Sequence, residues 1–157
     1  MELFDSHAHY NDEKFDEDRE ELIQNIYDSG VTRLINAGYS LESSKYALEI
    51  AKNYDWMYTI SGISPNDIPK EKNNLEEQLR KLEEFINKES HTNKIVAIGE
   101  IGLDYYWEKD EDKRKLQRYA FIKQIELANK FNLPIVIHTR EAVMDTLQIL
   151  KENKVEK

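Results

Sequence analysis

The stretch Asp5-Ser6-His7-Ala8-His9 closes a short apolar run, and in an extended chain positions 5, 7 and 9 project to one side. Two imidazoles converging in this way chelate a divalent ion, and a neighbouring carboxylate can orient one ring by accepting its second N–H. Glu100 follows the apolar run at 95–99 and lies between Gly99 and Ile101. A carboxylate in such surroundings requires a cation or an arginine beside it. His138 closes a further apolar run, ahead of Thr139 and Arg140. Taken singly, a His-x-His pair or a lone strand-end histidine is more often structural than metal-binding. Three of the four histidines, however, end apolar runs, and only His91 lies between elements. Their shared position makes metal binding the better reading. The chain contains no cysteine, which excludes disulfide and thiolate chemistry and leaves nitrogen and oxygen as the ligands of any metal.

The elements that must position these residues alternate along the sequence. Short apolar runs at 3–6, 31–37, 56–63, 95–99 and 133–137 read as strands. Between and after them lie stretches of helical period at 15–29, 41–54, around Leu75, Leu79, Leu82 and Ile86, at 113–131 and at 141–152. Ser40 is placed to cap the second helix and Gly30 to end the first. Five successive strand–helix units predict an α/β protein with a parallel sheet. Both a doubly wound sheet and a barrel satisfy that pattern. No glycine-rich phosphate loop follows the first strand, where His7-Ala8-His9-Tyr10 stands instead. In a β/α-barrel the C-terminal ends of the strands form the active-site face, which is where the three histidines fall.

Composition narrows the function classes. With 39% hydrophobic and 34% charged residues, the 157-residue chain reads as one globular domain spanning 1–157. The formal charge of −9 argues against coating nucleic acid through a basic surface, because counterion release needs clustered Lys and Arg. It is compatible with a nuclease that draws local positive charge from bound metals. Neither a signal-peptide pattern nor a membrane-length apolar run is present, and the expected location is cytoplasmic.

Three segments together, Asp5-Ser6-His7-Ala8-His9, Gly99-Glu100-Ile101-Gly102-Leu103-Asp104-Tyr105 and Ile137-His138-Thr139-Arg140, resemble the TatD family of metal-dependent deoxyribonucleases. The resemblance runs through the whole chain in order and spacing, and the Glu100 segment is its most specific part. It implies a parallel, TIM-type β/α-barrel, here shortened to about five of eight units. It further implies two divalent metal ions (Zn, Mn, Mg, Co or Ni), with His7 and His9 on one, Glu100 bridging both, and His138 on the second. Arg140 and the Tyr105 region would lie near the scissile phosphate. The implied reaction is hydrolysis of DNA, at ends or in single strands, by a metal-activated water. The chain departs from the family at Gly62-Ile63-Ser64-Pro65-Asn66, where Ser64 stands in place of a substrate-side histidine.

A complete barrel takes at least ~200 residues. The family's further ligands, a His after strand six and an Asp after strand eight, are therefore expected to be missing. Open sheet edges at strands one and five predict self-association. Two alternatives to a deoxyribonuclease stand at this point: an amidohydrolase of a small amide or ester, which the same metals would serve, and an inactive metal-binding fragment.

Overall fold

The computed structural model describes residues 2–157. Its strands are β1 (Leu3–Ala8), β2 (Val31–Ala37), β3 (Met57–Ser61), β4 (Ile95–Asp104) and β5 (Ile135–Arg140). The helices are α1 (Arg19–Asp28), α2 (Leu41–Lys52), α3 (Lys72–Glu89), α4 (Glu111–Phe131) and α5 (Val143–Glu152). All neighbouring strands are parallel and the sheet order is the chain order, β1-β2-β3-β4-β5. A doubly wound sheet would reverse its strand order at a switch point. The unreversed order is that of a β/α-barrel, of which these five units form an incomplete arc.

The helices begin and end where side chains satisfy the free backbone groups. Ser40 accepts from the Ser43 N–H at the start of α2, and Asp110 accepts from Asp112 and Lys113 at the start of α4. Gly30, at φ 106°, turns the chain out of α1, and Asn132 takes the left-handed conformation after α4. The first helix starts at Arg19, later than the hydrophobic period suggests. Asp12 caps a 3-10 turn at Glu13–Phe15, and Arg19 donates to Tyr10 O, Asp12 O and Asp16, so the preceding chain is held as a loop.

The main core lies between the helices and the second half of the sheet. Leu75, Leu82 and Ile86 of α3 and Phe121 and Ile125 of α4 pack with Ile98, Ile101 and Leu103 of β4. A second cluster joins Ile23 of α1, Ile50 and Ala51 of α2, Leu34 and Met57. The two ends of the sheet are less covered: Leu3 and Phe4 on β1, Ile137 on β5 and Met144 and Leu147 on α5 are exposed. Among the described residues no helix is long and apolar enough to cross a membrane.

Candidate metal centre

The strand ends bring His7, His9, Glu100 and His138 together, although they are separated by up to 131 residues in sequence. The Nε2 atoms of His7 and His9 are 3.2 Å apart. Glu100 Oε2 lies 3.3 Å from His7 Nε2 and 3.8 Å from His9 Nε2. Donors bound ~2.0–2.2 Å from one tetrahedral ion stand roughly 3.3–3.6 Å from each other. The observed triangle therefore has the dimensions of one face of such a site, and these three residues can hold one ion.

Of the two imidazoles, that of His9 is oriented by a backbone partner. His9 Nδ1 lies 2.9 Å from the Ala37 carbonyl at the end of β2, and a carbonyl only accepts, so Nδ1 carries the proton. In the neutral ring Nε2 then presents its lone pair to the site. Asp5 accepts from the His7 backbone N–H rather than from an imidazole, so it shapes the strand end and not the ring.

His138 stands on the other side of Glu100. Its Nδ1 is 2.7 Å from Glu100 Oε1, and its Nε2 is 3.0 Å from Asp104 Oδ2. Glu100 thus directs one oxygen to the His7 and His9 pair and the other to His138. The close approach of β4 and β5 that permits this depends on Gly102, which pairs with His138. Gly102 has φ +141°, and a Cβ there would lie 2.0 Å from the His138 carbonyl oxygen.

Charge complementarity in the cluster shifts the proton affinities of its members. Hydrogen bonds from His138 and His7 hold the Glu100 carboxyl far below the usual carboxylate range. In return, the hydrogen bond to Glu100 raises the pKa of both His7 and His138, against the opposing effect of burial.

Asp104 is the group that sequence reasoning left without a role. Its side chain is fully buried, and it collects four donors: the Tyr106 and Trp107 N–H groups on Oδ1, and Asn66 Nδ2 and His138 Nε2 on Oδ2. Burial pushes its pKa up, but the Trp107 N–H, Asn66 and His138 together hold the carboxyl below its ordinary value. The available signal was its place in Gly102-Leu103-Asp104, an acid at the end of a run of apolar residues.

Two other expected site residues point elsewhere. Tyr105 is 9% exposed and packs in the main core, with its hydroxyl donating to Asp145 (2.6 Å) and accepting from Arg118 (2.8 Å). Alternation sends Asp104 toward His138 and Tyr105 toward the helices. Ser64 is buried and donates to Asp67 Oδ2 at 2.7 Å, which builds the turn after β3. That loop reaches the site through Asn66 instead. Arg140 lies on β5 two residues beyond His138, its guanidinium 3.9 Å from the centre of the Tyr106 ring.

A barrel-like parallel sheet with a histidine–carboxylate cluster at its strand ends defines the class of metal-dependent hydrolases. The family model described as TatD related DNase matches residues 4–157, and the chain belongs to that family. It is 40% identical over 154 residues to an uncharacterized metal-dependent hydrolase, YabD, of Bacillus subtilis, covering 98% of this chain and 57% of the relative. It is 30% identical over 148 residues to a protein of Cronobacter sakazakii named 3'-5' ssDNA/RNA exonuclease TatD, covering 94% and 53% respectively. The crystal structure of the TatD homolog YjjV from Escherichia coli superposes with a TM-score of 0.84 at 27% identity, covering 98% of this chain and 56% of that one. The chain spans a little over half the length of the relatives it matches.

Proposed function

We propose that the chain carries part of a two-metal centre that hydrolyses phosphodiester bonds in DNA, at ends or in single strands. The observation that carries this reading is the arrangement of Glu100, with one oxygen on the His7 and His9 pair and the other on His138. In the proposed centre His7 and His9 would hold one divalent ion, Glu100 would contribute to both ions, and His138 would serve the second. The mixed imidazole and carboxylate set accepts Zn, Mn, Co, Ni or, more weakly, Mg. Bound there, such ions supply Lewis acidity to a phosphoryl oxygen and a lowered pKa to water.

The chain's own residues supply the framework for that chemistry. The Ala37 carbonyl fixes the His9 tautomer, and Asp104 restrains His138. Arg140 offers a planar cation suited to a phosphate, which favours a phosphodiester over a small amide or ester. A second reading is a metal-binding unit without hydrolytic activity of its own, for which the His7, His9 and Glu100 triangle would suffice. The thinly covered sheet ends support self-association, and the absence of cysteine supports a cytoplasmic setting.

The test is Mn-dependent cleavage of an end-labelled single-stranded oligonucleotide. Cleavage that disappears in both His7→Ala and Glu100→Ala supports the proposal. Cleavage that survives both variants contradicts it, and metal binding without cleavage selects the second reading.

A further inference from the structure

Six arginines occur in the sequence, and five of them donate hydrogen bonds: Arg19, Arg33, Arg80, Arg114 and Arg118. The Arg140 guanidinium makes none among the described residues, in a chain of net charge −9. It lies instead over two aromatic rings, 3.9 Å from the centre of Tyr106 and 5.4 Å from that of Trp107. These rings meet edge to face at 4.6 Å, and Trp107 is 66% exposed. Such exposure leaves most of a large apolar ring in water, next to a cation whose donors are uncommitted.

The platform is tied to the candidate metal centre through one side chain. Asp104 accepts the backbone N–H groups of Tyr106 and Trp107 on Oδ1 and faces His138 on Oδ2, so the aromatic turn and the histidine share a buried carboxylate. Arg140 projects to the same side of β5 as His138, two residues away. Beside Trp107 is an open hollow of about 410 Å³, walled by Pro65, Asn66, Leu116 and Gln117, and Asn66 also donates to Asp104.

We propose that Trp107, Tyr106 and Arg140 form a platform that stacks one unpaired nucleobase and binds its attached phosphate, seating a single strand beside His138. This rests on the reading of the centre as a phosphodiesterase and extends it to how the strand is held. Ring stacking requires an accessible base face, which a duplex keeps inside its own stack, and is tolerant of base identity. The guanidinium supplies a local positive charge for the phosphate in a chain of net charge −9.

The sequence has two tryptophans, so Trp56→Phe leaves Trp107 as the sole indole reporter. Titrating this protein with hexathymidylate in EDTA should quench Trp107 emission saturably, and hexauridylate should do so comparably, whereas a short duplex should not. By anisotropy with a labelled strand, Trp107→Ala should weaken binding about tenfold and Trp107→Phe much less. Arg140→Ala should weaken it and reduce the salt slope by about one. Absence of binding, binding without a change in Trp107 emission, or full affinity in Trp107→Ala would each overturn the proposal. Zn or Mn titration of the wild-type chain without oligonucleotide reports on the metal centre separately. Strand binding without metal binding would therefore refute the centre and leave the platform standing.

Discussion

Asp104 illustrates how one side chain governs the chemistry of another. It fixes Asn66, the aromatic turn and one nitrogen of His138, while Glu100 takes the other nitrogen. Asp104→Asn keeps an acceptor for the turn but presents an amide to His138. Removing such a supporting partner typically costs 10–100-fold, and calorimetric metal titration should register a loss of about that size with an unchanged circular dichroism spectrum. The same cluster sets a pH dependence. The raised pKa values of His7 and His138 mean that their contribution to stability is complete below the ordinary 6.5 and is lost as pH rises through the higher folded values. The lowered pKa of Glu100 means that its contribution is present above the ordinary 4.5 and is lost as pH falls through the lower folded value. Metal-free protein should therefore draw most stability from the cluster between about pH 4.5 and 6.5, as thermal melts across pH would show. Metal affinity should move the other way and increase with pH, because an ion displaces protons from the imidazoles.

At the scale of elements, the approach of β4 to β5 is the feature on which His138 depends. Gly102→Ala combines a strained positive φ with a Cβ 2.0 Å from the His138 carbonyl. The substitution should cost ~3 kcal/mol and lower the melting temperature by roughly 6–12 °C, measured by calorimetry, with metal affinity reduced in the same protein. The five strand–helix units were readable because apolar residues recur at helical spacing between the strands, as Leu75, Leu79, Leu82 and Ile86 do on α3 and Phe121, Ile125 and Ala128 do on α4. The end of β4 was not. A glutamate flanked by Gly99 looks like the exit from a strand, yet the strand continues to Asp104, with an irregular register between Ile98 and Ile101. Glu100 is tolerated inside it because two histidines neutralise its charge. The placements of Tyr105 and Ser64 were also hidden, since the groups that capture their hydroxyls, Asp145 and Arg118 for one and Asp67 for the other, are specified by tertiary packing and turn geometry. His7, His9 and His138 were visible because a histidine ending an apolar run is uncommon and three such positions share one face of the fold.

For the whole molecule, the open arc concentrates apolar exposure at its ends, where Phe4 is 61% and Ile137 is 38% exposed. Sedimentation velocity should reveal concentration-dependent association, and combined Phe4→Lys and Ile137→Lys substitutions should shift the chain toward monomer with its helical content retained. A monomer at all concentrations would remove self-association from the account. The central functional claim is that the strand-end cluster binds a divalent ion. Titration of metal-free chain with Zn followed by heat is the most direct measurement. Saturable binding that weakens by at least about 100-fold in His9→Ala and Glu100→Ala is the predicted result, as loss of a direct ligand should exceed the effect of a supporting partner. No binding by folded protein, or binding undiminished in both variants, would contradict it.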